Sequence, residues 1–236
     1  MMVARSLLFV ALFYLWSAVL AILMLPFFFL PRRATLAAFK FWSRGVVAML
    51  QAICGIRVEL RGREHVPHGR ALVAAKHQTM FDVFAQFAWL DDAAFVMRKE
   101  LTRIPFFGWY SLKAGMIVID RGGGAGALRK LVKDANARLE HDPRQVLIFP
   151  EGHRGEPGTT GDYQPGVAGL YRDLGLTTYP VATNSGVHWP AHGFLRKPGV
   201  IVFEYLEPIP AGLKRGEFMR VLEERIETAS TALLGL

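Results

Sequence analysis

An uncharged apolar segment near the amino terminus constrains this chain more than any other feature. Residues 6–31 carry no charge, and residues 6–25 precede the first proline. As a helix, residues 6–25 would be about 30 Å long at about 1.5 Å per residue, which matches the hydrocarbon thickness of a bilayer. The sequence PFFFLPRR follows where a signal peptide would have a small-residue cleavage site, so cleavage is disfavoured. A helix buried in a soluble core is also disfavoured, because it needs a large apolar shell that a chain of this size can hardly supply.

A second helical segment follows at residues 34–56. Lys40 and Arg44 lie four residues apart on one face of it, among large apolar side chains. This pattern is typical of a helix that lies in the headgroup region and reaches anionic lipid with its basic side chains. Two geometries fit: a membrane span followed by an interfacial helix, or a hairpin that turns at residues 26–31 within one leaflet. Both place the rest of the chain on the cytoplasmic side of the inner membrane.

The charge distribution supports this division of the chain. The net charge is +8 and 52% of the residues are hydrophobic. Residues 1–55 contain no acidic residue and five basic ones: Arg5, Arg32, Arg33, Lys40 and Arg44. We therefore expect anionic membrane lipids as partners of this region. Nucleic acid is a poor candidate, because basic and exposed aromatic residues are not interleaved elsewhere. The single cysteine, Cys54, excludes a disulfide framework.

Residues 56–236 have the pattern of an α/β domain, distinct from the membrane-associating helices of residues 1–55. The predicted strands are residues 56–60, 71–75, 94–97, 116–119, 146–149, 179–182 and 200–206. The predicted helices are residues 81–90, 105–113, 125–140, 166–174 and 214–234. Strands that alternate with helices predict a mostly parallel or mixed central sheet flanked by helices. In such sheets, ligands bind at the carboxyl ends of the strands.

Polar residues follow several of the predicted strands at the ends where ligands would bind. His77 and Asp82 are five residues apart, so they can meet only if His77 lies on a turn and Asp82 in the first turn of the next helix. A carboxylate on one imidazole nitrogen fixes the tautomer and makes the other nitrogen a better base. Taken alone, HxxxxD spacing more often reflects a loop histidine and a helix-capping aspartate.

The sequence disfavours three other kinds of site: a dinucleotide site, a zinc site and the active site of a serine hydrolase. The glycine-rich run at residues 122–127 loosely matches a dinucleotide loop, but no acidic residue ends a strand about 20 residues later. His188 and His192 have no evident third ligand, so a zinc site is disfavoured. A serine hydrolase is disfavoured because the chain has no GxSxG sequence.

Four blocks in the same order give the chain a resemblance to a known family. They are HQTMFD at residues 77–82, GMIVIDR at 115–121, FPEGHR at 149–154 and YPVA at 179–182. Together they resemble the glycerolipid acyltransferases, specifically the bacterial 1-acyl-sn-glycerol-3-phosphate acyltransferases, over residues 56–206. Two positions depart from the family pattern: His153 replaces a usual threonine, and Lys76 replaces a common asparagine.

The resemblance implies transfer of a fatty acyl group from acyl-CoA or acyl carrier protein to lysophosphatidic acid, without a metal or cofactor. It implies that His77 is the catalytic base and that Asp82 orients it. Arg121 and Arg154 are expected to bind the acceptor phosphate, and Lys99 is a lesser candidate. Glu151 is expected to orient an arginine or the glycerol hydroxyl, and the amide of Gly152 or amides near His77 to bind the oxyanion.

Two other functions remain open from the sequence. The acceptor could be another lyso-lipid, such as a lyso-ornithine lipid, which would gain less from two arginines. Alternatively, the chain could be a non-catalytic lipid-binding protein on the membrane surface, although the intact pair of His77 and Asp82 argues against this.

Overall fold

A computed structural model describes residues 1–140 and 142–235, apart from the side chains of Arg121 and Ala125. The described residues form a seven-stranded sheet in the order β1-β7-β6-β2-β5-β3-β4. The strands are β1 (Ile56–Arg61), β2 (Ala71–Ala75), β3 (Ala93–Arg98), β4 (Ile117–Ile119), β5 (Gln145–Ile148), β6 (Thr178–Thr183) and β7 (Gly199–Tyr205). Each lies within one or two residues of its predicted bounds.

The sheet is mixed, as the alternation of strands and helices predicted. Strands β6, β2, β5, β3 and β4 are parallel to one another. Strand β7 is antiparallel to β6, and β1 is parallel to β7. The five parallel strands therefore place their carboxyl ends along one edge, which we call the catalytic rim.

Eight α-helices flank the sheet in the described residues. They are α1 (Met2–Leu23), α2 (Arg32–Met49), α3 (Phe81–Ala85), α4 (Phe107–Lys113), α5 (Gly124–Glu140), α6 (Pro165–Leu174), α7 (Ser185–His188) and α8 (Arg215–Ala232). A 3-10 turn at Leu25–Phe29 joins α1 to α2, and a π-helical turn at Leu50–Cys54 leads into β1. The helix predicted at residues 81–90 is shorter, because a 3-10 turn replaces it from Gln86.

Alternate side chains of the buried strands enter two hydrophobic cores, as strand geometry requires. In β2, Val73 and Ala75 pack towards α1 and α2, whereas Leu72 and Ala74 pack towards α5, α6 and α8. The amphipathic stripe of α5 enters the second core through Leu131, Ala135 and Leu139. The pair of helices α1 and α2, which we call the N-terminal hairpin, therefore covers one face of the sheet.

The contacts of α1 with the α/β domain run along the whole helix. Near its start, the Ser6 hydroxyl accepts a hydrogen bond from the Arg196 backbone N–H at 2.9 Å. Near its end, the carbonyl of Ala21 accepts a hydrogen bond from the Tyr110 hydroxyl at 2.8 Å. Helix α1 is also the one described helix long and apolar enough to cross a membrane. Both ends of α1 therefore contact the α/β domain.

Ion pairs at the edge of the sheet opposite the rim join α2 to the α/β domain. Arg32 pairs with Asp92 at 2.6 Å and with Asp142 at 2.7 Å. The buried Arg144 also pairs with Asp92, at 2.9 Å. Lys40 donates a hydrogen bond to the carbonyl of Asp91. The expectation that these N-terminal basic residues face lipid is wrong for Arg32, whose guanidinium binds carboxylates of the domain.

Candidate active site

The catalytic rim brings together the chain segments that the sequence marked as functional. His77 follows β2, Glu151 follows β5, and β5 lies directly beside β2. Strand β6, on the other side of β2, ends before Ser185. The predicted convergence of polar residues at these strand ends is therefore confirmed for the three central strands.

His77 and Asp82 form a hydrogen-bonded pair at the centre of the rim. The His77 Nδ1 lies 3.3 Å from the Asp82 Oδ2 across the turn that precedes α3. The same oxygen accepts the backbone N–H groups of Gln78 at 2.6 Å and Thr79 at 2.7 Å. Asp82 thus holds the imidazole and the turn before α3, whereas the start of α3 has no side-chain cap, so Asp82 is not a helix cap.

The environment of the pair fixes the imidazole and leaves one nitrogen available. The ring of His77 stacks on Phe149, with centroids 4.1 Å apart. Asp82 is fully buried, whereas the His77 side chain is 13% exposed. No described residue bonds Nε2 of His77. A carboxylate on Nδ1 favours a proton there, so Nε2 is left as a hydrogen-bond acceptor facing the rim.

Ser185 is a member of the site that the sequence did not single out. Its hydroxyl donates to the Asp82 Oδ1 at 2.5 Å, and the Thr79 hydroxyl contacts the same oxygen at 3.2 Å. These bonds stabilise the Asp82 carboxylate and set its orientation. The signal was the polar sequence after β6, but nothing local indicated that Ser185 reaches Asp82.

Glu151 has a different position from the one expected. Its Oε1 accepts the backbone N–H of His77 at 3.2 Å and lies 3.4 Å from the Lys76 ammonium. No described arginine contacts it. Burial raises the pKa of Glu151, and the nearby Lys76 charge opposes that rise. Glu151 therefore holds the backbone of His77.

Lys76 links this carboxylate to the C-terminal helix. Its ammonium donates to both carboxylate oxygens of Glu227 on α8 at 2.7 Å, and to the Thr159 carbonyl at 3.0 Å. The Tyr163 hydroxyl donates to Glu227 at 2.9 Å. The departure from the family pattern at Lys76 is thus part of a buried ionic network directly behind His77.

The loop after Glu151 is tied to the catalytic turn. Gly152 has a φ of 72°, a conformation that favours glycine, and its N–H donates to the Phe149 carbonyl. The Gly155 N–H donates to the His77 carbonyl at 2.9 Å. Arg154 is exposed on this loop and makes no hydrogen bond or ion pair with a described residue. It is therefore available to a ligand at the rim.

Lys99 and Arg121 lie farther along the same rim. Lys99 follows β3 and pairs with Asp120 at 2.9 Å, which holds the pKa of Asp120 below its usual value. Arg121 begins the turn after β4, and its side chain lies outside the described residues. These strands are two and three positions from β2, or about 10 and about 14 Å at about 4.8 Å per strand. The backbone positions of both residues are therefore displaced along the rim from β2.

Comparisons with known proteins agree with this geometry. A family model described as Acyltransferase matches residues 57–184. The 1-acyl-sn-glycerol-3-phosphate acyltransferase of Pseudomonas aeruginosa is 34% identical over 181 residues, which cover 75% of this chain and 70% of that protein. The lyso-ornithine lipid O-acyltransferase of the same organism is 26% identical over 189 residues, covering 72% of each chain.

The fold also matches a solved structure over its full length. The crystal structure of the 1-acyl-sn-glycerophosphate (LPA) acyltransferase PlsC from Thermotoga maritima superposes with a TM-score of 0.82 at 22% identity. The match covers 100% of this chain and 99% of that one. The sheet and the N-terminal hairpin are therefore shared with a known fold.

Proposed function

The chain belongs to the acyltransferase family, and we propose that it transfers a fatty acyl group to the sn-2 hydroxyl of lysophosphatidic acid, giving phosphatidic acid. The proposed donor is a thioester, either acyl-CoA or acyl carrier protein. The observation that carries this proposal is the pair of His77 and Asp82 at the catalytic rim, with Nε2 of the imidazole unbonded. The acceptor is the one named for the 34% identical acyltransferase of Pseudomonas aeruginosa.

The pair of His77 and Asp82 provides general-base catalysis without a covalent enzyme intermediate. Nε2 of His77 takes the proton of the acceptor hydroxyl as its oxygen attacks the thioester carbonyl. Asp82 stabilises the imidazolium that forms. The tetrahedral intermediate expels the thiolate, which receives the proton from His77 and leaves as a thiol. A thiolate leaves without strong acid assistance because thiols are far more acidic than alcohols.

The oxyanion and the phosphate require donors beyond this pair. The backbone N–H groups of residues 77–79 and Gly152 already donate to protein oxygens. The amides of His153 and Arg154 bond no described residue, so we assign the oxyanion to them. The exposed Arg154 guanidinium would bind the acceptor phosphate in its planar fork, with Arg121 as the second cation.

The N-terminal hairpin would hold the enzyme in one leaflet, with the rim on the cytoplasmic face of the inner membrane. Large apolar side chains of α1 and the following turn are exposed, including Leu15, Ile22 and Phe29. Trp109 and Leu112 of α4 are also exposed. Contacts at both ends of α1 favour insertion along the surface rather than across the bilayer.

A lyso-ornithine lipid is the second candidate acceptor. The match to the Pseudomonas enzyme of that name covers 72% of this chain, although at lower identity. Such an acceptor lacks a phosphate monoester, so an arginine clamp would contribute less to its binding.

Purified protein with labelled acyl-CoA and either lyso-lipid tests the proposal. We expect labelled phosphatidic acid from lysophosphatidic acid, with His77→Ala lowering kcat by about 10²–10⁴-fold at unchanged stability. His68 is exposed just before β2, at the opposite end of the strand from His77, and gives the matched control: His68→Ala should retain activity. Wild-type-like turnover by His77→Ala would refute the base assignment, and product from the lyso-ornithine lipid alone would refute the acceptor.

Arg154→Ala tests the phosphate clamp separately. We expect it to raise KM for lysophosphatidic acid with little change in KM for acyl-CoA, because the guanidinium contacts only the acceptor. An effect confined to the acyl donor would contradict the clamp.

A further inference from the structure

Arg196, on the loop between α7 and β7, is a buried cation without a carboxylate partner in the described part of the chain. Arg196 is only 6% exposed. Nη1 donates to the Leu195 carbonyl at 3.0 Å and approaches the Gly193 carbonyl at 3.5 Å, while the buried Nε has no partner. Burying a charge without an opposite charge is unfavourable, so an anion bound beside this guanidinium would be stabilising.

Aromatic rings hold the guanidinium in place. Its carbon lies 4.2 Å from the ring centre of Trp189 and 5.8 Å from that of Phe9, both within cation–π distance. The acidic groups that act on it are the Cys54 thiol and the Tyr14 phenol, and burial lowers the pKa of Arg196 to about 10. Burial raises the pKa of the Cys54 thiol, so this thiol does not supply a counter-charge to Arg196.

A cleft of about 140 Å³ opens beside this guanidinium. Phe9 and Phe13 of α1 form one wall, and Trp189 forms another. The residues at the mouth are exposed and apolar or aromatic: Tyr14, Met80 and Phe194. The cleft therefore presents one cation at the base of an apolar opening, on the same side of the molecule as the N-terminal hairpin.

We propose that this cleft binds the anionic headgroup of a bilayer phospholipid, with Arg196 as its counter-cation. The planar guanidinium suits a phosphate, and the apolar mouth suits the adjoining acyl chains. This inference rests on the membrane placement proposed above but not on the identity of the acyl acceptor. The cation of this cleft, Arg196, is a different residue from Arg154, which supplies the cation of the proposed acceptor site.

The test measures Tm of the full chain in phosphatidylcholine micelles as phosphatidylglycerol is added. We expect a saturable rise in Tm for the wild type. Arg196→Met should keep or raise Tm in phosphatidylcholine, because it removes an unpaired buried charge, but bind phosphatidylglycerol at least about tenfold more weakly. Arg129→Met removes an exposed charge from α5, on the opposite face of the sheet, and should leave the rise intact. A full rise in Arg196→Met would overturn the proposal.

A second variant keeps the test decisive if Arg196→Met fails to fold. Phe194 is 42% exposed, so Phe194→Glu is expected to fold, and its carboxylate at the mouth should repel the lipid phosphate. The matched control is Phe29→Glu, at a 93% exposed position on the turn after α1. Loss of the rise in Phe194→Glu but not in Phe29→Glu supports the site, and an equal response of the two overturns it.

An arm with oleate in place of phosphatidylglycerol distinguishes a fatty carboxylate from a phospholipid. An Arg196-dependent rise with oleate alone would overturn the phospholipid assignment. Acyl transfer in pure phosphatidylcholine micelles is measured separately. The proposed function fails if that activity is absent, whereas the lipid site fails if the variants do not change the phosphatidylglycerol response.

Discussion

The catalytic rim and the N-terminal hairpin lie on the same sheet, but their side chains have opposite surroundings: polar and buried at the rim, apolar and exposed on the hairpin. At the rim, Asp82 is fully buried and accepts hydrogen bonds from two backbone amides, two hydroxyls and an imidazole. On the hairpin, the outward side chains of α1 are apolar and more than half exposed, as at Leu15, Ile22 and Leu23. The Asp82 carboxylate is therefore satisfied within the protein, whereas the outward face of α1 is apolar and exposed.

The contacts on the inner side of the hairpin show how α1 and α2 pack on the domain and still expose an apolar face. Trp16 and Trp42 bond across the two helices, from the Trp16 Nε1 to the Trp42 carbonyl and from the Trp42 Nε1 to the Ser17 hydroxyl. A Cβ on Gly45 would approach the Trp16 ring to 2.6 Å, so glycine permits this contact. The hairpin is therefore fixed to the catalytic domain on one side and free to contact lipid on the other.

The largest expected effect comes from replacing the outward apolar side chains of α1, which should weaken membrane binding without changing stability. The triple variant Leu15→Gln, Ile22→Gln, Leu23→Gln should reduce vesicle partitioning at least about 100-fold, because each buried apolar side chain contributes about 1.5–3 kcal/mol. Tm in detergent should not change, since these side chains are 58–64% exposed. Vesicle sedimentation measures the loss.

A charge control shows whether the partitioning is apolar or electrostatic. Arg129 and Lys133 are exposed on α5, on the opposite face of the sheet. Replacing both with glutamine should leave vesicle binding unchanged. Equal losses in the two multiple variants would contradict the assignment of the hairpin as the membrane surface.

At the rim, Lys76→Met should have the largest effect on stability. It leaves the carboxylates of Glu151 and Glu227 without their shared cation, and breaking a buried ion pair costs about 3–5 kcal/mol. Chemical denaturation in micelles measures the loss, and adding Glu227→Gln should recover part of it. Lys130, in an exposed pair with Asp134, gives the control: Lys130→Met should cost at most about 0.5 kcal/mol.

These residues also show where prediction from sequence ends. The strands and the rim were predictable because period-2 and period-3.6 patterns and strand-end residues such as His77 are local signals. The partner of Lys76 was not predictable from the sequence, because Glu227 lies 151 residues away and its position depends on how α8 packs. For the same reason, the sequence predicts a lipid-facing Arg32, whereas Arg32 pairs with the distant Asp92 and Asp142.

The same substitution, serine to alanine, can be made once at the rim and once in the hairpin, which compares the two regions directly. Ser185→Ala removes a hydrogen bond to the Asp82 carboxylate, a class of bond worth about 1.5–3 kcal/mol. We expect kcat to fall about tenfold with KM unchanged, because Asp82 orients the base and not the substrate. Ser17→Ala removes the acceptor of Trp42 in the hairpin and should leave kcat unchanged. A matching fall in both variants would contradict a specific role for Ser185.

The smallest expected effect is a pH dependence of stability from Glu151. Burial raises its pKa above the ordinary value of 4.5, so the native state binds this proton more tightly than the unfolded chain does. The contribution of Glu151 to the free energy of unfolding is therefore largest below about pH 4.5. It decreases as the pH rises through the raised pKa and does not change further above that pKa. Glu151→Gln cannot titrate, so the Tm of the wild type minus that of the variant should decrease across this interval. The exposed Glu64→Gln controls for the loss of one carboxylate, and a difference that increased with pH would show that the Lys76 charge outweighs burial.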